Sequence, residues 1–312
     1  MSHAHWYARV APALALCTLL FTAACATTPP RQTQFETPDE AARRLAAAAR
    51  TENLGELERI LGPEAHDLLH SGDDVADRSG RERFAAAYDE KHRLERAGDG
   101  SVTLLVGELE WPLPIPIVPR GGAWVFDTAA GRDELVDRRI GRNELNAIQV
   151  CLAVADAQYE YASVDRDGDG LREYAAKFRS SDGARDGLYW EAGEGEEQSP
   201  LGELAAQATK EGYNPSRVSE TPRPYHGYFY RILAGQGPHA ADGAYGYEVR
   251  GNMIGGFAVV AYPADYGVSG VMSFIVNHDG VVHEKDLGPD TDKIAAAMQL
   301  YDPDDSWRKA PQ

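Results

Sequence analysis

The chain has 312 residues, with 31 Lys and Arg against 49 Asp and Glu, which gives a formal net charge of -18. An acidic surface of this kind repels phosphate groups, so we exclude nucleic acid as a partner. Hydrophobic residues make up 43% of the chain, which excludes a wholly disordered protein and suffices for a sizeable core. At roughly 150 residues per domain, the length predicts about two domains.

The N-terminal residues have the pattern of an export signal. An uncharged run over residues 10–24 is too short for a membrane-spanning helix of about 20 residues, and polar residues follow it. Residues 1–24 are therefore predicted to be a signal peptide. The end of this run resembles the bacterial lipobox, which predicts lipidation of Cys25 and a lipid-anchored tether over residues 25–37. Cleavage after Ala26 is the alternative and would release a soluble protein.

The lipid on Cys25 would hold the protein on a membrane through its N-terminus. Ala26 follows this cysteine and resembles the sorting pattern of outer-membrane lipoproteins in a host with two membranes. The sequence therefore predicts an exported, periplasm-facing lipoprotein of the outer membrane.

Residues 38–128 are predicted to form an N-terminal α+β domain. A capping box at Thr37 opens a helix over residues 38–50, and a second helix with apolar residues at helical spacing is expected over residues 53–61. Another capping box predicts a third helix over residues 79–98, which ends at a glycine. The domain thus begins with helices.

A small antiparallel sheet follows these helices in the predicted domain. Apolar and polar residues mostly alternate over residues 102–111, and a glycine pair leads into a second strand over residues 124–126. Prolines recur over residues 112–119, between the two strands. Because proline cannot donate to a sheet ladder, this stretch is predicted to be a sheet edge or a polyproline-like excursion.

Residues 129–312 are predicted to form a C-terminal α+β domain. A long helix is expected to end near Ala162, with an apolar stripe made by Leu145, Ile148, Leu152, Ala155 and Tyr159. Short strands between glycine-rich turns are expected at residues 225–233, 245–250, 257–262, 271–277 and 281–285. Asp279-Gly280 predicts a two-residue hairpin between the last two. The long helix should therefore pack on a C-terminal antiparallel sheet.

An acidic turn at residues 165–173 is the sharpest local motif. Its carboxylates and glycine copy the first nine places of a calcium loop, and the carboxylates that would bind the ion are Asp165, Asp167, Asp169 and Glu173. The twelfth place holds Ala176 instead of the usual bidentate glutamate. The sequence therefore predicts either a weak Ca²⁺ site or a solvated acidic turn after the long helix.

Other reactive side chains give weaker signals. His66 and His70 have the i, i+4 spacing that places two imidazoles on one helix face, but no third metal ligand can be named from the sequence. We therefore expect a solvent-facing helix end there. Cys151 lies within the long helical pattern and is expected to be a small buried hydrophobe. The sequence identifies no catalytic residues.

Aromatic residues concentrate in the second half of the chain. The residues that would form a binding surface are Trp190, Tyr225, His226 and Tyr228. Aromatic side chains with polar tips are favoured where a surface binds a sugar, a peptide or another protein. They also suit the core of a small glycine-rich sheet, where strand alternation buries half of them. Both interpretations stay open at this point.

Short motifs are spread over nearly the whole chain, at residues 141–145, 157–161, 167–175, 186–190, 199–202, 224–228, 255–258, 261–263 and 285–289. With these motifs, residues 35–307 resemble the bacterial family called domain of unknown function 2950. The resemblance implies an exported bacterial protein and supplies no catalytic residues to carry over.

The second half also resembles the globular head of type IV pilin-like proteins. The likeness rests on Ala-Gln-x-x-Tyr in the long helix, the acidic turn, the sheet segment at residues 256–263 and the hairpin at residues 277–280. The hydrophobic N-terminal helix of pilins is replaced here by the first domain, so the likeness concerns the fold alone.

The leading functional hypothesis is a cell-envelope protein that acts as a binding or interaction module for an envelope protein partner. It follows from the predicted anchor and from the lack of a recognisable nucleophile, base or metal triad. The alternative is a hydrolase of envelope polymers or a calcium-assisted enzyme, which would use the acidic turn and His226. That alternative expects Asp169, Glu173 and His226 to converge in one cleft.

Overall fold

The computed structural model describes residues 32–215 and 222–311. The predicted signal peptide, Cys25 and most of the predicted tether lie outside the described residues. The described end of the tether already belongs to the fold, because Phe35 is buried and forms a β-bridge with Trp124. Gln32 donates hydrogen bonds from its amide to the carbonyls of Ile60, Leu61 and Phe126.

The N-terminal half begins with helices α1 (Pro38–Arg50) and α2 (Leu54–Leu61), a 3-10 turn (Pro63–Ala65), α3 (His66–Leu69) and α4 (Asp74–Glu90). The first two helices confirm the prediction. Thr37 caps α1 by accepting the Glu40 backbone N–H, and Asn53 caps α2 in the same way. These side-chain caps are short-range signals, which explains why the sequence located both helix starts.

The predicted bounds of the third helix are wrong at both ends. Helix α4 begins at Asp74 because the carboxylate of Asp73 accepts the Ala76 N–H at 3.1 Å and caps it, so Ser79 lies inside the helix. The helix ends at Glu90. Gly98 belongs instead to a hairpin turn, in which the Ala97 N–H donates to the Ser101 carbonyl at 2.9 Å.

That hairpin opens a five-stranded antiparallel sheet of β1 (His92–Arg96), β2 (Val102–Val106), β3 (Trp111–Pro112), β4 (Ile117–Arg120) and β5 (Ala123–Phe126). The strand order is β1-β2-β4-β5, with β3 also paired to β2. The proline-rich segment is therefore not wholly an edge, since β4 lies between two strands. Proline is tolerated there because β4 pairs with β2 only at Ile117, and Pro119 is exposed beyond that pair.

Helix α5 (Thr128–Tyr161) confirms the predicted long helix and runs through both halves of the molecule. The predicted apolar stripe is only partly right, because Leu145 and Tyr159 are 61% and 48% exposed. The buried face is offset from that stripe and consists of Ala147, Ile148, Val150, Cys151, Val154, Ala155, Ala157, Gln158 and Tyr161. Cys151 is fully buried, which confirms the expected small buried hydrophobe, and this burial raises the pKa of its thiol to about 12.

The buried face of α5 packs on the C-terminal sheet. The elements after α5 are α6 (Gly202–Lys210), β6 (Tyr228–Leu233), β7 (Gly235–Gln236), β8 (Tyr245–Gly246), β9 (Ala258–Pro263), β10 (Met272–Asn277), β11 (His283–Asp286), α7 (Thr291–Ala297), β12 (Leu300–Tyr301) and β13 (Arg308–Lys309). The main sheet is antiparallel with order β13-β11-β10-β9-β6, and β12-β7-β8 form a second, small sheet.

The α+β class and the long helix on an antiparallel sheet are confirmed. A turn at Asp279-Gly280 joins β10 and β11, with the Gly280 N–H donating to the Asn277 carbonyl, but the predicted two-residue loop is wrong, because residues 278–282 separate the two strands. One predicted strand, over residues 245–250, is reduced to the two residues of β8. Buried side chains form one core in the N-terminal half and two adjoining cores around the C-terminal sheet. The likeness to pilin heads stays a prediction.

The close packing of α5 on the proline-rich segment can be tested at one glycine. A Cβ atom at Gly131 would lie 2.3 Å from the Pro114 carbonyl oxygen, whereas a Cβ at Gly141, in the same helix, would have nothing within 4 Å. We expect Gly131→Ala to lower the free energy of unfolding by about 1–3 kcal/mol through overpacking. Gly141→Ala should raise it by about 0.5–1 kcal/mol, because alanine favours a helix.

Chemical denaturation of the two variants and the natural protein measures both effects. Equal stability of Gly131→Ala and Gly141→Ala would contradict the close approach of α5 to the proline-rich segment.

Candidate functional site

The acidic turn brings three of its four predicted calcium ligands together. Oxygens of Asp165, Asp167 and Asp169 lie within 4.8 Å of one another. Glu173 is outside this group, since its carboxylate accepts the Met253 N–H at 3.0 Å. The turn is also braced from α5, where the buried amide of Gln158 exchanges two hydrogen bonds with the backbone of Ala175. The arrangement offers three exposed or half-exposed carboxylates to a hard cation.

The turn also holds itself together without a cation. Asp165 accepts the backbone N–H groups of Gly168 and Gly170, which keeps the pKa of its carboxyl below the usual range. Burial raises the pKa of Glu173, and the neighbouring aspartates raise it further. These bonds give the turn a fixed shape as a solvated acidic loop, so its geometry is consistent with both interpretations of the sequence.

The four residues of the predicted aromatic surface do not share one environment. Tyr228 is fully buried and donates its hydroxyl to the Met272 carbonyl, and Trp190 is buried with Arg166 and Arg185 over its ring. Both therefore belong to the core. Tyr225 and His226 are only half-buried, so only these two can contribute to a surface.

His226 lies at the centre of a polar cluster between the two halves. Its Nε2 atom is 2.8 Å from a Glu211 carboxylate oxygen, and its Nδ1 atom is 2.7 Å from the Asn146 side-chain amide. Its backbone adopts a left-handed conformation with φ of 53°, which is uncommon for residues other than glycine. A carboxylate beside an imidazole is an arrangement that can move protons, but no serine, threonine or cysteine side chain among the described residues forms a hydrogen bond with the His226 ring.

A buried carboxylate fixes this cluster to the N-terminal half. Asp73 is 1% exposed, and one of its oxygens accepts both the Tyr213 hydroxyl at 2.8 Å and the Gly227 N–H at 2.9 Å. Burial and the Asp73 charge hold the pKa of Tyr213 well above its usual range, so this hydroxyl stays a hydrogen-bond donor.

The acidic turn and the His226 cluster do not form one site. His226 contacts Asn146 in the middle of α5, whereas the turn follows the end of that helix at Tyr161. These two helix positions are about 22 Å apart at a rise of about 1.5 Å per residue. The enzyme alternative expected Asp169, Glu173 and His226 to converge in one cleft. They do not converge.

The N-terminal half contains a cleft of about 750 Å³, which the sequence did not predict. It lies between α4 and the first half of α5, and side chains of α1, α2 and α3 also line it. Most of its lining is apolar, with Leu45, Leu57, Phe84, Leu113, Ile115 and Leu135 among the contributing residues. Its size falls in the range of small-molecule sites, about 300–1,000 Å³.

Arginines from α4 and α5 supply the positive charge of the cleft. The five that line it are Arg81, Arg83, Arg138, Arg139 and Arg142. Arg81 pairs with Glu52, and Arg138 pairs with Glu134. Within residues 32–215 and 222–311, the other three make no ion pair with a carboxylate. Arg139 donates to the carbonyls of Asp67 and Leu68, at 2.6 and 2.7 Å.

The electrostatics of the cleft favour an anion. Burial lowers the pKa of Arg139 and of Arg142, and the positive charge of Arg83 lowers that of Arg142 further. Asp77 also lines the cleft, and burial raises the pKa of its carboxyl although Ser71 donates two hydrogen bonds to it. Because arginine stays protonated in proteins, an anion bound between these guanidinium groups would relieve their mutual repulsion.

Sequence reasoning passed over these arginines, although a signal was present. Two arginines at positions 81 and 83 and three at positions 138, 139 and 142 are dense clusters in a chain of net charge -18. The spacing of the second cluster, i, i+3 and i, i+4, places Arg138, Arg139 and Arg142 on adjoining parts of one helix face. Their convergence with α4 depends on the tertiary fold.

A comparison with protein families matches residues 32–310 to the family described as protein of unknown function, DUF2950. The chain belongs to this family. The match covers the DUF2950 chain from its first described residue to the last strand and confirms the resemblance drawn from the sequence motifs. Comparisons with curated proteins and with solved structures gave no match. Across the described residues, no helix combines the length and apolar composition that crossing a membrane requires.

Calcium binding by the DUF2950 chain can be tested at Asp167. Calcium at about 1 mM, the upper range for extracellular modules, should raise the melting temperature because it would neutralise three adjacent carboxylates. Asp167→Ala should lose most of this rise. The matched control is Asp182→Ala, which removes a carboxylate that is 95% exposed in another loop and should leave the rise unchanged.

Thermal melts with calcium and with a chelator measure the difference. If the natural protein and Asp167→Ala respond identically, the acidic turn is a solvated loop and not a calcium site.

Proposed function

We propose that the protein is an exported, lipid-anchored cell-envelope protein that acts by binding an amphipathic anion, and that its ligand is a long-chain fatty acid. The single observation that carries the proposal is the cleft, which combines an apolar lining with three arginines that make no ion pair with a carboxylate among the described residues. Signal peptide, anchor at Cys25 and outer-membrane location are the parts of the proposal supported by the sequence alone.

The apolar lining suits the chain of a fatty acid. Leucine, isoleucine and phenylalanine side chains from five helices and from residues 106–115 of the sheet region contribute to it. Apolar area removed from water stabilises a complex by about 25 cal/mol per Å². At the same cleft, Leu109 is 96% exposed and Trp111 is 40% exposed. These exposed apolar residues extend the contact that an acyl chain could make at the opening.

The arginines suit a carboxylate head group. Arg83 lies on α4, while Arg139 and Arg142 lie on α5, so the charges come from both sides of the cleft. A guanidinium group binds a carboxylate with two parallel hydrogen bonds, and such charge-assisted bonds are stronger than neutral ones. A positive cleft in a chain of net charge -18 also favours an anion at this place over the rest of the surface.

The hydrolase alternative has less support. It keeps the Glu211-His226 pair, which could activate a water molecule, but the acidic turn lies about 22 Å away along α5. Tyr225 donates its hydroxyl to the same Glu211 carboxylate at 3.4 Å, so this pair is part of a satisfied network between the halves. Binding is therefore the function that the geometry supports best, and an envelope protein partner remains part of the proposal.

The arginine cluster gives a direct test of fatty-acid binding. Arg142→Gln should weaken the binding of a fluorescent long-chain fatty acid about tenfold or more, because a hydrogen bond to a charged group contributes about 1.5–3 kcal/mol and 1.4 kcal/mol is a factor of ten. The fatty alcohol of equal length should bind the natural protein more weakly than the acid. Fluorescence titration of the untagged protein measures both affinities.

Arg120→Gln is the matched control, since Arg120 is exposed on β4 and does not line the cleft. It removes the same charge and should keep the affinity of the natural protein. Equal affinities of the Arg142→Gln and Arg120→Gln proteins, or equal affinities for the acid and the alcohol, would reject the proposed ligand.

Lipid attachment is tested separately, in cells. When the gene is expressed in a bacterium with two membranes, the natural protein should incorporate an alkyne-labelled fatty acid and sediment with membranes. Cys25→Ala should carry no label and remain in the soluble fraction, because no other cysteine stands at the predicted lipid site. Cys17→Ala, within the predicted signal peptide, should behave as the natural protein. A natural protein without label supports cleavage after Ala26.

A further inference from the structure

His66 and His70 had no third metal ligand that could be named from the sequence. The fold places Glu58 beside them. Glu58, His66 and His70 each offer a ligand atom, and these three atoms lie within 4.8 Å of one another. The His70 Nε2 atom is 3.2 Å from a Glu58 carboxylate oxygen, and the rings of His66 and His70 are 4.9 Å apart between centroids. We call these three residues the histidine cluster. It is separate from the acidic turn and from the His226 cluster.

A sharp turn between two helices creates this cluster. Helix α2 ends at Leu61, and Gly62 follows with φ of 86°, a left-handed conformation that glycine adopts readily. The chain then turns back through Pro63–Ala65, so that α3 places His70 beside Glu58. His66 and His70 lie one helical turn apart, which explains their shared face. Glu58 is twelve residues from His70 in sequence, so spacing rules could not identify it.

The backbone that carries the imidazoles is held from the other side. Ala65 and Leu69 are buried in the N-terminal core. Arg139 donates to the carbonyls of Asp67 and Leu68, which lie between the two histidines. A metal would therefore bind to a fixed turn, and only rotations of the three side chains are needed to bring their ligand atoms closer.

The ligand set indicates the metal. Two imidazole nitrogens and one carboxylate oxygen form a three-ligand Zn²⁺ site in which the fourth position stays open. Calcium and magnesium prefer oxygen ligands alone, so imidazoles disfavour them. Glu58 and His66 are exposed, which gives an ion access from solvent. Among the described residues, the His66 ring nitrogens accept or donate no hydrogen bond, so none is lost when zinc binds.

Negative charge near the cluster favours a cation further. Asp265 interacts electrostatically with both His66 and Asp67. Asp67 is ion-paired with Arg132, so the uncompensated negative charge near the imidazoles comes from Glu58 and Asp265, and it favours a divalent cation. We propose that Glu58, His66 and His70 bind one Zn²⁺ ion per chain, with the fourth coordination position open to solvent. This proposal does not rest on fatty-acid binding, because none of the three arginines is a zinc ligand.

Zinc titration of untagged, metal-free protein against a colorimetric zinc chelator tests the proposal. The natural protein should bind one high-affinity equivalent of zinc chloride. His66→Gln, His70→Gln and Glu58→Gln should each weaken zinc binding at least about tenfold, because each removes a ligand. X-ray absorption of the complex should show two imidazole nitrogens and one carboxylate oxygen at about 2.0–2.2 Å.

Two controls keep the result specific. Glu64→Gln removes an exposed carboxylate from the neighbouring 3-10 turn, and His239→Gln removes a histidine that pairs with Asp302 elsewhere. Both should bind zinc as the natural protein does. Thermal melts without zinc check the fold, and His66→Gln serves as the decisive variant because this side chain makes no hydrogen bond to described residues. Equal zinc affinity of His66→Gln and Glu64→Gln, or no saturable binding by the natural protein, would overturn the proposal.

Discussion

The arrangement of the two halves depends on one buried carboxylate, that of Asp73. It caps α4 through the Ala76 N–H and accepts the Tyr213 hydroxyl and the Gly227 N–H from the other half. A buried charge is costly unless hydrogen bonds satisfy it, and here three donors from separate parts of the chain do so. The same carboxylate thus fixes the start of α4, which borders the cleft, and the segment that carries His226. No single half could satisfy it alone.

Parts of the fold that depend on neighbouring residues could be predicted from the sequence. The caps of α1 and α2, the long helix α5 and the position of the turn at Asp279-Gly280 all rest on side chains or glycines within a few residues. The third helix shows the limit of this reasoning. Ser79 had the pattern of a cap, but Asp73 precedes it and is stabilised by donors more than 130 residues away. The tertiary hydrogen bonds of Asp73 thus decided the start of the helix, and the local capping pattern at Ser79 did not.

Most residues of the candidate sites could not be predicted from neighbouring residues either, because contacts between distant parts of the chain bring them together. The acidic turn could be identified because its carboxylates are adjacent in the chain, although Glu173 turned to the Met253 backbone. The arginines of the cleft come from α4 and α5, more than 50 residues apart, and only packing brings them together. Tyr228 was predicted to lie on a binding surface because of its aromatic ring. It lies in the core instead, because alternate side chains of a strand face the core.

Helix α3 is shared by both proposed binding sites. Leu68 and Leu69 face the cleft, while His66 and His70 at its two ends belong to the histidine cluster. Arg139 joins the two, because its guanidinium lines the cleft and holds the α3 backbone carbonyls. A ligand that drew Arg139 away from those carbonyls would also loosen the turn that positions both imidazoles. If both proposed sites bind, thermodynamic linkage would make this effect reciprocal, and each ligand would change the affinity of the other by the same factor.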